Sequence, residues 1–315
     1  MKFYMAPLEG ITGYIFRNAL NEFFGEGIDK YYAPFIMPHV KRAFSAKELS
    51  ELSPDNNQGI RLVPQILTDN ADDFTRVKEE IRELGYDEVN LNLGCPSGTV
   101  TSKGRGAAML EDIGKLDAFL DKIYEKGDEN ISVKTRIGIS EPDEFEKIIQ
   151  VYIKHPIKEL IIHPRVMEQM YRGKADITVF TSILDTYKGA LCYNGDICSI
   201  EDYVNLKNAL QSACGIDRAR DINIMIGRGM LKNPSLIREL NGGKRADREE
   251  LYGMLSRLKR DYSTVFSGQT PVLFKLKEIW SYLMADFPEE EKLCKKIMKS
   301  KNLDEYEIYV KRILN

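Results

Sequence analysis

Ala190-Leu191-Cys192-Tyr193-Asn194-Gly195-Asp196 and Ile222-Asn223-Ile224-Met225-Ile226-Gly227-Arg228-Gly229 are two short strand-like runs, each breaking into a polar, glycine-containing turn. Between them Ser199, followed by Asp202, reads as a helix start ahead of a helix over 203–210. Strand, small polar turn, helix and second strand together form a βαβ unit, the building block of a parallel sheet. The same texture recurs along the chain. Strand-like runs fall at 3–6, 30–33, 61–66, 88–93, 131–135, 159–162, 190–193 and 222–226. Further helix starts are Asp69 or Asn70 before 71–84, and Ser140 with Asp143 before 145–155. Eight strands with seven helical connections predict a (β/α)8 TIM barrel of the α/β class. An open doubly wound sheet is the competing architecture, but no G-x-G-x-x-G follows the first strand.

Asn241-Gly242-Gly243 breaks this pattern, and no strand-like run follows it. Leu251, Met254, Leu255, Leu258 and Tyr262 recur at helical spacing, as do Leu273, Leu276, Trp280, Leu283 and Phe287. Two more apolar groups follow, Leu293, Ile297 and Met298, then Tyr306, Tyr309, Val310 and Ile313. The expected division is a barrel over 1–242 and a small all-helical domain over 243–315.

The 315 residues include 43% hydrophobic and 30% charged residues, enough for a large core and unlike a disordered chain. No apolar run approaches the roughly 20 residues of a membrane span, and residues 1–10 lack a signal-peptide pattern. A cytoplasmic protein without membrane association is expected. The five cysteines form no C-x-x-C pair and read as reduced thiols; with three histidines and no H-x-x-x-H, no metal site is expected.

A barrel binds its ligands at the carboxyl ends of its strands. Here those ends are polar or small: Ala6-Pro7-Leu8-Glu9-Gly10, Gln65, Asn92-Leu93-Gly94-Cys95-Pro96, Lys134-Thr135-Arg136, His163-Pro164-Arg165, Asn194-Gly195-Asp196 and Gly227-Arg228-Gly229. The last two turns stand where barrels commonly hold phosphate, since glycine lets backbone N–H groups approach and Arg228 adds charge. Read singly, each is also an ordinary tight turn. Gln65 suits an amide-like ring edge. Lys134 suits a ring that accumulates electrons, as a reduced flavin does, but also a Schiff base or a snorkelling rim residue. Arg136 shares its strand face, and paired cations are poorly explained by packing. Cys95, on a loop, is a candidate nucleophile or general acid. His163 is a core histidine or, beside Arg165, a ligand contact. Glu9 and Asp196 form only a weak acid/base pair in the sequence.

Taken in order, Met5-Ala6-Pro7, Asn92-Leu93-Gly94-Cys95-Pro96-Ser97, Lys134-Thr135-Arg136, His163-Pro164-Arg165, the run from Gln169 to Asp176, Asn194-Gly195-Asp196 and Gly227-Arg228-Gly229 resemble the tRNA-dihydrouridine synthase family. The basic loop from Lys103 to Ala107 is also similar, and the tail resembles the family's tRNA-binding domain. The resemblance implies an FMN enzyme, reduced by NADPH, that reduces a uridine in tRNA with Cys95 as proton donor. It implies flavin contacts from Pro7, Leu8, Gln65, Lys134, His163, Asn194, Gly195, Asp196, Gly227 and Arg228, with Asn92 and Arg136 nearer the substrate. Where the family usually has His-Gly-Arg this chain has His163-Pro164-Arg165, which removes a backbone N–H. The rivals are an FMN-dependent reductase of a free pyrimidine, similar to dihydroorotate dehydrogenase, a Schiff-base aldolase at Lys134, and a non-catalytic RNA-binding barrel.

The net charge of −3 argues against a nucleic-acid partner until it is divided. Residues 1–240 carry 30 Lys and Arg against 36 Asp and Glu; residues 241–315 carry 15 against 12, a tail at +3. In one tail helix Lys275 projects with Tyr282 away from the apolar stripe and Lys277 flanks it, and Lys295, Lys296 and Lys299 cluster beyond. Lys275 and Lys277 are the candidate tRNA contacts, and the chain is expected to act as a monomer.

Overall fold

The computed structural model describes residues 1–39, 42, 44–125 and 127–314. Its centre is a closed barrel of eight parallel strands: β1 (Phe3–Met5), β2 (Lys30–Ile36), β3 (Leu62–Ile66), β4 (Val89–Leu93), β5 (Ile131–Thr135), β6 (Leu160–Ile162), β7 (Leu191–Tyr193) and β8 (Asn223–Ile226). They follow one another in chain order, and β8 closes against β1 with Tyr4 opposite Met225. Every predicted strand is present. β2 runs three residues past its predicted end because the register shifts between Tyr32 and Phe35, which accommodates Pro34, a residue with no N–H to pair.

Residues alternate between the two faces of each strand, and this alternation builds two separate interiors. One set, including Phe3, Met5, Tyr31, Leu62, Leu91, Val133 and Ile162, packs outward against the helices. The other fills the barrel with Tyr4, Ala6, Tyr32, Val63, Ile161, Cys192 and Met225. Below them Lys30 is buried against Glu88, at 2.8 Å, and Glu159, at 3.5 Å. Above them the same inward face carries Gln65, Asn92, Lys134, His163, Asn194 and Gly227 to the carboxyl end.

The helix starts divide instructively. Asn70 caps Ala71–Glu83 by accepting from the Asp73 amide, and Ser199 caps Ile200–Asp221 by accepting from the Asp202 amide. The second helix runs on past 210 and is kinked at Gly215, whose φ of 78° is outside the helical range. The start expected at Ser140 is built differently. Pro142 opens a short turn, Pro142–Glu144, and the Glu144 carboxylate accepts the amides of Ile139, Ser140 and Glu141 before the helix Phe145–Ile153.

After β8 the chain is helical, with Arg248–Val265, Gln269–Leu283, Glu291–Lys299 and Leu303–Leu314 the main elements. Their apolar residues join the outer core of the barrel without a gap. Arg248–Val265 lies on the first barrel helix, Tyr14–Phe24, where Arg257 pairs with Glu22, and Arg238 forms a bidentate pair with Glu250. Trp280 is fully buried and donates to the Tyr306 hydroxyl at 2.8 Å. Among the described residues no helix is long and apolar enough to cross a membrane.

Candidate active site

The carboxyl end of the barrel opens into a cavity. Ten of the residues expected at the site line it: Pro7, Leu8, Lys134, Arg136, His163, Asn194, Gly195, Asp196, Gly227 and Arg228. Gln65, Asn92 and Cys95 lie beside the cavity, with Gly94 bridging to its wall. Lys275 and Lys277 are not part of it.

The turns after β7 and β8 interlock. A side chain on Gly229 would place its Cβ 2.1 Å from the Ile197 carbonyl, and one on Gly195 would overlap the Tyr193 ring. Only glycine lets these two turns pack and still present backbone to a ligand. Asp196 joins them as well: it accepts from both N–H arms of the buried Arg165 and from Arg228 at 2.8 Å. Burial pushes the Asp196 carboxyl up, but its bonds to Arg165 outweigh that and hold it below the ordinary value, so it stays ionised. Arg228 uses one nitrogen on Asp196 and keeps other donors for an anion. A phosphate-bearing group fits this cradle of glycine backbone and guanidinium.

Lys134 forms no ion pair among the described residues. Desolvation first and then the neighbouring Arg136 push its ammonium down to about 8. A cation deprived of both water and counter-ion is a good receiver for an electron-rich ring or an anion. His163 donates from Nδ1 to the Asn194 carbonyl at 2.5 Å, and since a carbonyl only accepts, that nitrogen carries the proton. Burial, then Lys134 and Arg136, hold this imidazole well below its ordinary range, so it is neutral with Nε2 toward Arg165. The missing N–H at Pro164 falls at a corner whose carbonyl accepts from the Asp176 amide at 2.7 Å.

The Cys95 loop is fixed by backbone bonds. The Asn92 side-chain oxygen accepts the amides of Gly94, at 3.0 Å, and Cys95, at 2.9 Å, while the Asn92 amide group donates to Gln65 at 2.7 Å. Gln65 in turn donates to Asn90 at 2.7 Å. On the other side Ala107 donates to the Cys95 carbonyl, and a Cβ on Gly106 would sit 2.7 Å from that same oxygen. Burial raises the Cys95 thiol above its ordinary value, outweighing the Ser97 amide and the cations Arg136 and Lys134. The sulfur is therefore held as a thiol, with a proton to give.

Arg136 is placed differently from a free substrate contact. It is 1% exposed and donates to three carbonyls, those of Gly94, Val166 and Met170, tying the Cys95 loop to the segment after β6. That segment brings in Tyr171, a residue of the run from Gln169 to Asp176 with no expected role at the site. Its ring lies under Arg228, at 4.7 Å, and Arg136, at 5.6 Å, on the cavity wall. The signal available in the sequence was a tyrosine flanked by glycine and cations in a loop after a strand. Away from the cavity, Asp117, Asp121 and His155 bring one potential ligand atom each within 4.8 Å of one another, a grouping the spacing of His and Cys does not reveal. Lys154 already neutralises Asp117 there.

A family model for dihydrouridine synthases (Dus) matches residues 4–311. The chain is 24% identical over 324 residues to the tRNA-dihydrouridine(16) synthase of Neisseria meningitidis, an alignment covering 99% of this chain and 93% of the relative. It is 26% identical over 323 residues to the probable tRNA-dihydrouridine synthase 2 of Bacillus subtilis, covering 96% and 91%. Among solved structures, a histamine dehydrogenase from Rhizobium superposes with a TM-score of 0.55 at 10% identity, over 81% of this chain and 49% of that one, a likeness of fold. The match over nearly the whole chain, on a barrel whose cavity gathers the glycine turns after β7 and β8, Lys134 and Gly94 of the Cys95 loop, establishes that this chain belongs to the dihydrouridine synthase family.

Proposed function

We propose that the protein is a tRNA-dihydrouridine synthase, reducing the C5–C6 double bond of a uridine in tRNA to 5,6-dihydrouridine. FMN, if held in the cavity, would supply the hydride and would be reduced by NADPH. Asn194, Gly195, Gly227 and Arg228 would hold its phosphate, with Asp196 orienting Arg228. Pro7, Leu8 and neutral His163 would border the ring, and Gln65 would offer it amide hydrogen bonds. Lys134 holds positive charge where electrons collect.

Addition of hydride at C6 of uracil leaves an electron pair at C5. Cys95 gives its Sγ proton to that carbon, and the resulting thiolate is reprotonated from solvent. Asn92 sets the direction of the thiol through the Gly94 and Cys95 amides, and Arg136 holds the loop from beneath. A base paired in a helix cannot enter the cavity, so the uridine is taken exposed or swung out. The barrel, residues 1–242, carries out the chemistry; residues 243–315 hold the RNA, and the protein works as a cytoplasmic monomer.

The observation that carries this reading is the half-buried Cys95, on a loop fixed by the Asn92 side chain, at the same mouth as Lys134 and the glycine–arginine turns. The test begins with the visible spectrum: the purified protein is expected to be yellow, to be bleached by NADPH, and to regain colour when unmodified tRNA is added. A preparation that cannot bind FMN sinks the reading. Mapping dihydrouridine in tRNA from cells with and without the protein then locates the substrate position.

A further inference from the structure

The two tail lysines read as tRNA contacts are committed inside the protein. The ammonium of Lys275 donates to the Gly10 carbonyl, in the loop after β1 that also carries Pro7 and Leu8, and to Glu278 at 2.9 Å. The ammonium of Lys277 donates to the Ser300 carbonyl at 2.7 Å, at the end of the helix Glu291–Lys299. These bonds fix the helix Gln269–Leu283 against the barrel mouth on one side and the next tail helix on the other.

Immediately before Lys275 stands Phe274, 63% exposed, on a helix whose Leu273, Leu276, Trp280 and Leu283 are buried. It is the most exposed of the large apolar side chains among the described residues. Of its neighbours one turn away, Thr270, Lys277 and Glu278 are polar and only the half-buried Pro271 is apolar, so the helix shows no broad apolar patch of the kind that a protein partner buries. On either side of Ser300, Lys299 and Lys301 are exposed, and Lys292 lies on the helix Glu291–Lys299; none of the three has an ion pair among the described residues. A single aromatic face on a rigid mount, followed by unpaired cations, matches the alternation of base and phosphate along a nucleic-acid strand.

We propose that Phe274 is a stacking platform for a base of the RNA strand that delivers the target uridine to the barrel mouth, with Lys299 and Lys301 receiving the phosphates beyond it. The proposal rests on the tRNA reading above and names the residue that grips the strand. An aromatic ring accepts any base on its π-face, so Phe274 contributes affinity and placement without reading sequence.

The experiment uses the full flavin-loaded chain with Phe274→Ala and Phe274→Trp, and unmodified tRNA as probe. Phe274→Ala is expected to weaken tRNA binding by about 5- to 100-fold in filter binding. Its flavin content and its rate of reduction by NADPH are expected to match the wild type, because the residue lies outside the cavity. Phe274→Trp is expected to bind as the wild type does, with its new indole emission quenched by tRNA over a constant background from the fully buried Trp280. Unchanged binding by Phe274→Ala overturns the proposal, as does a change in sedimentation showing that the ring joins two copies of the chain. If the wild type binds and reduces tRNA while Phe274→Ala equals it, only this proposal falls. If the wild type neither binds nor reduces tRNA, the functional reading falls and takes the platform with it.

Discussion

Burial raises the Cys95 thiol, and the same burial lowers the Lys134 ammonium to about 8, so two neighbouring groups are pushed toward their uncharged forms by one cause. For Cys95 the consequence is catalytic. Cys95→Ala is expected to keep its flavin and its reduction by NADPH but to lose reoxidation by tRNA by about 100- to 10,000-fold, the usual worth of a positioned general acid. Stopped-flow absorbance of the two half-reactions separates them. For Lys134 the consequence is a stability difference. Its folded value lies below its ordinary value of 10.5, so between about pH 8 and 10.5 the unfolded chain binds the extra proton. Through that window the flavin-free protein gains stability from Lys134 as pH rises. Other groups titrate there too, so the measurement is the gap between wild type and Lys134→Met in urea denaturation, which is expected to move in favour of the wild type from pH 8 to 10. The sequence exposed Cys95 and Lys134 as candidates but left each with rival roles. Desolvation chose among them, and desolvation depends on everything packed around the residue.

The strands and their turns were readable because their signals are local: β-branched runs, glycine at sharp turns, and caps such as Asn70 and Ser199 that act over three residues. The exceptions are also physical. β2 continues through Pro34 because a neighbouring strand tolerates a register shift, which no local signal announces. The network at the foot of the barrel joins Lys30, Glu88 and Glu159, side chains separated by up to 129 residues and each about 5% exposed. Each lies at a strand start where an isolated charge reads as solvated. Lys30→Met removes the buried cation between the two carboxylates, leaving Glu88 with Lys158 and the exposed Arg61 and Glu159 with no cation among the described residues, and is expected to cost about 3–5 kcal/mol, measured by chemical denaturation. Its pH dependence has a definite sign. Burial pushes Glu88 up but Lys30, and then Lys158, more than offset it, so the folded value lies below the ordinary 4.5. The stabilisation is therefore full above that value and is lost as pH falls through the lower folded one. Wild type and Lys30→Met are expected to converge in stability in acid.

At the scale of the whole molecule, the tail completes the outer core as well as adding charge. Leu251, Met254, Leu258 and Leu276 belong to the same apolar body as Phe24 and Ile237. Ending the chain at Gly242 uncovers that face of the barrel and leaves Arg238 without Glu250. The truncated protein is expected to be insoluble or to unfold well below the full chain, and expression followed by thermal unfolding checks it. The division of charge between body and tail was a matter of counting, and the excess in 241–315 is real, but counting could not say which lysines are free. Lys275 and Lys277 turn out to be struts, while Lys292, Lys299 and Lys301 have no ion pair among the described residues. The order of eight strands, the glycine turns, the cysteine loop and the helical tail were determined by the sequence, because each is written in residues close together along the chain. Which inward-facing residues share one cavity, which guanidinium holds a loop and which reaches for a ligand, the protonation of Cys95 and His163, and the placing of Tyr171 and Phe274 were decided only by the tertiary structure, because burial, pairing and desolvation arise between residues that the chain keeps far apart.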